Sequence, residues 1–259
     1  MSAGMPILIG PSLRLILDAA GGTAEISEAA VTTLWHRWLG PQRFARKLAR
    51  LEHAALVEWS ARKGDMKRVL RLTEAGCLAA WGGRNPEACW RRPWDGCWRL
   101  VLFDVQESKR SDRIKLQRQL RRLWFGYLQD SVWISPDPAD ALRKALGGLS
   151  VDAATLTMME ARPCGGESDG DLVAGAWDFE RINRYYDNYL AILRSLSTVS
   201  GARARHSWLQ VEWKAWCRAV QSDPLLPEAL LPRFYRGREA WERRRERMQR
   251  LMDLDERPR

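Results

Sequence analysis

The chain has 259 residues, 46% hydrophobic and 29% charged, with a formal charge of +10 and a pI near 9.8. It is long enough for one large domain or two to three small ones, and the basic surplus favours an anionic partner, most often nucleic acid. No apolar run approaches a membrane-spanning helix, and no basic-then-apolar leader is apparent; the five cysteines form no C-x-x-C and have no clustered histidines, which fits a reducing cytoplasm rather than a zinc site.

Residues 1–83 read as a small basic module. Pro11-Ser12 opens a short helix that Gly21-Gly22 ends. Ser27 caps a second, with Val31, Leu34, Trp35 and Leu39 as its apolar positions. Pro41 starts a third, in which Phe44, Leu48, Leu51 and Ala55 share one buried face. Gln42, Arg43, Arg46, Lys47 and Arg50 lie away from that face, which suits a helix entering a DNA major groove. Leu56–Ser60 and Val69–Leu72 read as strands joined by a turn at Arg62-Lys63-Gly64-Asp65, and Thr73 caps a final helix beginning Leu72-Thr73-Glu74-Ala75-Gly76. The pattern is a winged helix-turn-helix, with Arg62, Lys63, Lys67 and Arg68 on the wing. Ten Lys or Arg against three acids between Arg37 and Arg71 supply most of the chain's net charge.

The centre, residues 90–163, follows an irregular lead-in at Trp90–Gly96. Its elements are a buried strand Trp98–Val105, a helix Ser108–Leu123 with core stripe Leu116, Leu120 and Leu123, a segment Tyr127–Gln129, a strand Val132–Ser135, a helix Pro138–Leu146 and a strand Ala153–Ala161. The order β-α-β-β-α-β is a ferredoxin-like split βαβ. Asp104, at the end of the first strand, carries two readings. It caps the turn or pairs with Arg110 or Arg113, or it is a ligand of a metal-dependent nuclease, which would need further oxygen donors.

Residues 164–171 read as a flexible linker by composition, and residues 172–259 as a helical tail. One tail helix carries Ile182, Tyr185, Tyr186, Tyr189 and Leu193; the next, about Arg205 to Val220, carries Trp208, Trp213 and Trp216. The proline phrase Asp223–Pro232 precedes a last helix, Gly237–Leu254, whose thin stripe (Trp241, Met248, Leu251 or Met252) and run Arg243-Arg244-Arg245 suit a subunit contact or an exposed helix.

Several of these phrases, in this order, resemble the PaaX-like transcription regulators, the repressors of phenylacetic acid degradation. They are Trp94-Asp95-Gly96, Trp98–Asp104, Trp124-Phe125-Gly126, Ser131–Pro136 and Asp223–Pro232. The centre also resembles the small CRISPR-associated spacer-acquisition proteins. Two departures are visible: the basic helix Gln42–Arg50 has different wording, and Arg233–Gly237 lacks the Trp that family members often carry there. The resemblance implies an α+β chain of three domains: a winged helix (1–83), a ferredoxin-like domain (90–163) and a helical effector and dimerisation domain (172–259). It further implies a non-enzymatic, cytoplasmic repressor of an aromatic-acid catabolic operon. Its partners would be double-stranded operator DNA and a second copy of the chain in a homodimer, with no cofactor. An aryl-CoA such as phenylacetyl-CoA would be the effector that releases it. The alternative class is the nuclease centred on Asp104.

Overall fold

A computed structural model describes residues 25–27, 41–61, 68–103, 110–140, 143–144, 156–196 and 199–256. The helix expected from Pro11-Ser12 to Gly21, the helix expected after Ser27, the turn at 62–65 and Asp104 lie outside these residues, whereas Asp140, Arg143 and Lys144 of the helix expected over 138–146 are described and helical. The described elements are mixed α+β. They are β1 (Glu25–Ser27), α1 (Pro41–His53), β2 (Val57–Ala61), β3 (Arg68–Leu72), α2 (Glu74–Ala80) and α3 (Pro86–Arg91). Then come β4 (Trp98–Phe103), α4 (Arg110–Arg122), β5 (Gly126–Gln129), β6 (Val132–Ser135) and β7 (Leu156–Ala161). The rest is helical: α5 (Asp169–Ala176), α6 (Phe179–Ser195), α7 (Ala202–Ser222), a 3-10 turn (Glu228–Leu230) and α8 (Gly237–Glu256). These form two compact units that interleave along the sequence. The first is residues 1–86, 183–222 and 236–259; the second is residues 87–182 and 223–235.

In the second unit, the sheet order is β5-β6-β4-β7 with every pair antiparallel, the strand order of a split βαβ. Residues alternate across the sheet, so Val101 and Phe103 of β4 share one face. With Trp133 they pack on Leu116, Leu120 and Phe125 to form the core under α4. Helix α4 ends with Trp124 in the left-handed region (φ 59°), and Phe125 N–H returns to the Leu120 carbonyl at 3.0 Å.

The phrases that carried the family resemblance have structural work here. Asp95 accepts two hydrogen bonds from Arg99 (2.8 and 2.6 Å) and one from Cys97 N–H, around Gly96 at φ 74°. Those bonds hold the Asp95 carboxyl below its usual pKa, the Arg99 guanidinium contributing most. Gly126 leaves room for the Trp177 ring: a Cβ there would lie 2.7 Å from it, and Trp177 Nε1 donates to the Trp124 carbonyl at 3.3 Å. Asp223, fully buried, accepts from Leu225 N–H at 2.8 Å and from the Tyr235 hydroxyl. Arg92 donates to the carbonyls of Cys89 and Leu225 and grips both Asp137 oxygens (2.6 and 3.0 Å).

Three expectations are corrected. The stretch from Cys164 is not a linker throughout: Ser168 and Asp171 form a reciprocal capping box that starts α5, and Asp169 accepts from Trp98 Nε1 at 2.8 Å. The lead-in expected to be irregular over Trp90–Gly96 begins inside helix α3, which runs from Pro86, at the first-turn position prolines favour, to Arg91. Ala55 is exposed rather than buried, because α1 stops at His53 and Ala55 turns left-handed (φ 52°). Leu56 takes the buried place and its N–H returns to the Leu51 carbonyl at 2.9 Å.

In the first unit, β3 is the middle strand of a sheet ordered β1-β3-β2. The tail helices contribute the aromatic core. Trp216, wholly buried, stacks on Trp241 at 5.6 Å and contacts Tyr189 at 5.1 Å. Its Nε1 donates to the Trp81 carbonyl at 2.9 Å, just after α2. The adjoining Gly82 (φ 90°) is close against the Trp216 ring, and Trp81 meets Trp241 edge-on at 6.5 Å.

Candidate nucleic-acid interface

Helix α1 anchors by Leu51, 1% exposed, with Leu48 half-buried beside it. Gln42, Arg46 and Arg50 are exposed at i, i+4 and i+8, and Lys47 is half-buried. Ala45 and Ala49 are also exposed. Small residues between arginines let a helix axis come close to a groove floor while the long side chains reach past it. Arg46 Nε donates to the Gln42 carbonyl at 3.3 Å. The placement of the Arg43 side chain and of Arg62, Lys63 and Lys67 lies outside the described residues.

What fixes α1 against the strands is a set of contacts of which only the Thr73 cap was legible in the sequence. Trp59 Nε1 donates to Glu52 Oε1 at 2.7 Å, tying the end of α1 to β2. The Arg68 guanidinium lies 4.8 Å from the centre of the Trp59 ring, so the first residue of β3 is held on the same ring. Thr73 caps α2 by accepting from Gly76 N–H at 3.0 Å. The same hydroxyl donates to the Ala55 carbonyl at 2.8 Å, and Thr73 N–H donates to the Leu56 carbonyl at 3.1 Å. Gly76 is pressed onto that carbonyl; a Cβ would stand 1.9 Å from the Leu56 oxygen. Thus Thr73 and Gly76 seat α2 on the chain reversal after α1. Arg71 stands in register between Glu25 and Glu58, so its charge is opposed across the sheet. Arg68 is exposed and remains beside the α1 surface in the same connected set.

The tail holds a second polar centre that sequence reasoning placed on the surface. Arg244, in the middle of its arginine run, is fully buried. Its Nε donates to Glu212 Oε1 at 2.7 Å, and the Tyr189 hydroxyl donates to the same oxygen at 2.6 Å. The guanidinium lies over Trp216 at 4.7 Å. Helix α8 is therefore a packed core element, not an exposed one, because Ala240, Trp241 and Met248 are buried along with Arg244. Beside it burial pushes the Cys217 thiol up to about 12, so it stays neutral.

Among the described residues, no group of three or more His, Cys, Asp or Glu is placed to hold a metal ion. No helix among them is long and apolar enough to cross a membrane.

No curated protein gives a significant match to the chain. Its structure resembles that of the uncharacterised protein Rv0674 from Mycobacterium tuberculosis. The two share 21% identity and a TM-score of 0.57, over 96% of this chain and all of the other. Residues 91–173 match the model of the PaaX protein central Cas2-like domain. Residues 177–257 match the PaaX-like protein C-terminal domain. The two matches run consecutively through most of the chain, in the order of the phrases read from the sequence, and the chain belongs to the PaaX-like family.

Proposed function

We propose that this PaaX-type regulator binds double-stranded DNA through residues 1–83, a winged helix in which α1 reads the major groove and the β2–β3 hairpin holds the backbone. The observation that carries this is the outward face of α1: Gln42, Arg46 and Arg50 around two alanines, held by the Glu52–Trp59–Arg68 contacts next to a hairpin. Arg43 and Lys47 belong to the same reading helix, and Arg62, Lys63 and Lys67 with Arg68 to the wing. One such head buries too little for useful specificity, so two copies act as a homodimer on a pseudo-palindromic site. The family resemblance supports repression of an aromatic-acid catabolic operon in the cytoplasm. It also supports release by an aryl-CoA such as phenylacetyl-CoA, which would favour a dimer geometry whose heads no longer match the half-sites.

The test is binding to duplex DNA selected from a random library. Arg46→Ala and Lys67→Ala each weaken binding, by about 1–3 kcal/mol where the residue reads a base. Affinity falls with salt by about 0.9 log units per decade for each phosphate contact. Unchanged binding in both variants overturns the winged-helix assignment. Calorimetry against a panel of CoA thioesters tests the effector, and heat with none of them removes it. Incubation with RNA and DNA plus Mg²⁺ or Mn²⁺, beside Asp104→Ala, tests the nuclease class.

A further inference from the structure

We propose that the exposed face of α4, in the central Cas2-like region, is a second DNA-backbone contact, independent of the head. This inference rests on the DNA-binding reading above and adds a surface to it. Between residues 110 and 129 the sequence has six basic residues and one acid, Asp112. The acid is already engaged, since Lys115 Nζ lies 3.0 Å from its carboxylate. Leu116 and Leu120 are fully buried and fix which side faces the core. Arg110, Arg118, Arg121 and Arg122 are all exposed on the other side. At 100° per residue they fall, with Ser111 and Ile114, inside one arc of about 120°. No acid falls inside it. Among the described residues no carboxylate pairs with Arg110, Arg118 or Arg122.

A merely solvated helix face does not need this pattern. Like charges three and four apart, as in Arg118 with Arg121 and Arg122, destabilise an isolated helix. Helix α8, which is just as rich in charge, shows the ordinary solution. There Arg243 pairs with Glu246, and Arg236, just before its first turn, pairs with Glu239. On the arc of α4, Arg110, Arg118 and Arg122 have no carboxylate partner among the described residues, and all four basic residues there are arginine rather than lysine. The planar guanidinium donates in pairs to phosphate and is the weaker-hydrated cation. From Arg110 to Arg122 the row is about 18 Å long at 1.5 Å per residue, enough to run beside about five phosphates of one strand at 3.4 Å axial spacing. Arg121 is also held over the Trp133 ring at 5.4 Å, which fixes the edge of the row to the core. The occupant is double-stranded DNA, read without regard to sequence.

The experiment uses the full chain carrying Arg110→Gln, Arg118→Gln and Arg122→Gln together; Arg121 is spared because it packs on Trp133. Anisotropy titrations on a random-sequence 40-base-pair duplex across a salt series compare it with the unchanged chain and with an Arg46→Gln/Arg50→Gln variant. The expected result is a salt slope lower by up to about 2.7, near 0.9 per lost contact, and affinity weaker on the order of 10- to 100-fold. The loss is the same on selected and random duplexes, whereas the α1 variant loses discrimination between them. Circular dichroism and thermal midpoint match the unchanged chain. A wild-type slope in the α4 variant, with binding lost in the α1 variant, overturns this inference and leaves the head reading standing. Absence of salt-dependent binding in the unchanged chain overturns both. A wild-type slope on DNA, with loss of binding to poly-glutamate or anionic vesicles, gives the face to a different partner and also overturns it.

Discussion

The buried Tyr189–Glu212–Arg244 cluster is the place where one atom-scale change has the largest calculable consequence. Glu212 and Arg244 expose 2% and 0% of their side chains, and their nearest N–O distance is 2.7 Å. Glu212→Gln keeps the shape and removes the charge. Arg244 cannot discharge itself, because a guanidinium stays protonated. It is left as an uncompensated buried cation, which costs about 3–5 kcal/mol. Its cation–π contact with Trp216 is already present in the intact protein and so offsets none of the difference. At about 2–4 °C per kcal/mol for a unit of this size, the midpoint falls by roughly 6–20 °C. Removing the whole cluster behaves differently. Tyr189→Phe, Glu212→Leu and Arg244→Met together replace it by apolar groups and leave stability within about 1–2 kcal/mol of the original. Calorimetry gives the midpoints. A loss under about 1 kcal/mol for Glu212→Gln, or a triple variant as unstable as the single one, refutes the argument.

Gly76→Ala forces the α2 backbone off the Leu56 carbonyl, since a Cβ would sit 1.9 Å from it. Overpacking of this kind costs about 1–3 kcal/mol or more, read from urea midpoints, and the change weakens DNA binding by loosening the seat of α1. The capping-box carboxylate of Asp171 is held below its usual range by hydrogen bonds from the Ser168 side chain and backbone. A depressed value means that its stabilisation is present above the unfolded pKa of about 3.9 and is lost as pH falls through the lower folded one. Melting curves from neutral pH into that acid window decline more steeply for the intact chain than for Asp171→Asn; equal slopes would remove the cap from the explanation.

Strands β4 and β6 were legible because their apolar runs are short and bounded by turn residues, and the order of the elements around them then implied the sheet. The anchoring of α1 by Leu51 was legible from helical spacing, but its end was not: nothing local in Ala55 marks a left-handed residue. The capping box at Ser168 and Asp171 was readable from its three-residue spacing and was obscured by the glycines around it. The burial of Arg244 was not readable, because it depends on Glu212, 32 residues earlier. A run of three arginines looks alike whether its middle member faces water or a distant carboxylate. Strand β1 is three residues long and takes its identity from β3, more than forty residues later.

The indole of Trp216 donates to the Trp81 carbonyl, 135 residues earlier in the chain. At about 5–20 residues per second of synthesis, Trp81 waits roughly 7–27 s for that partner. The end of α2 leaves the ribosome early, while the aromatic side chains that Trp81 and Gly82 meet come much later. The whole second unit has to be threaded out before the first can close. A nascent chain, or one cut short before α8, therefore carries residues 1–86 without the helices that complete their unit, and the first unit reaches its final form only after α8 has been made.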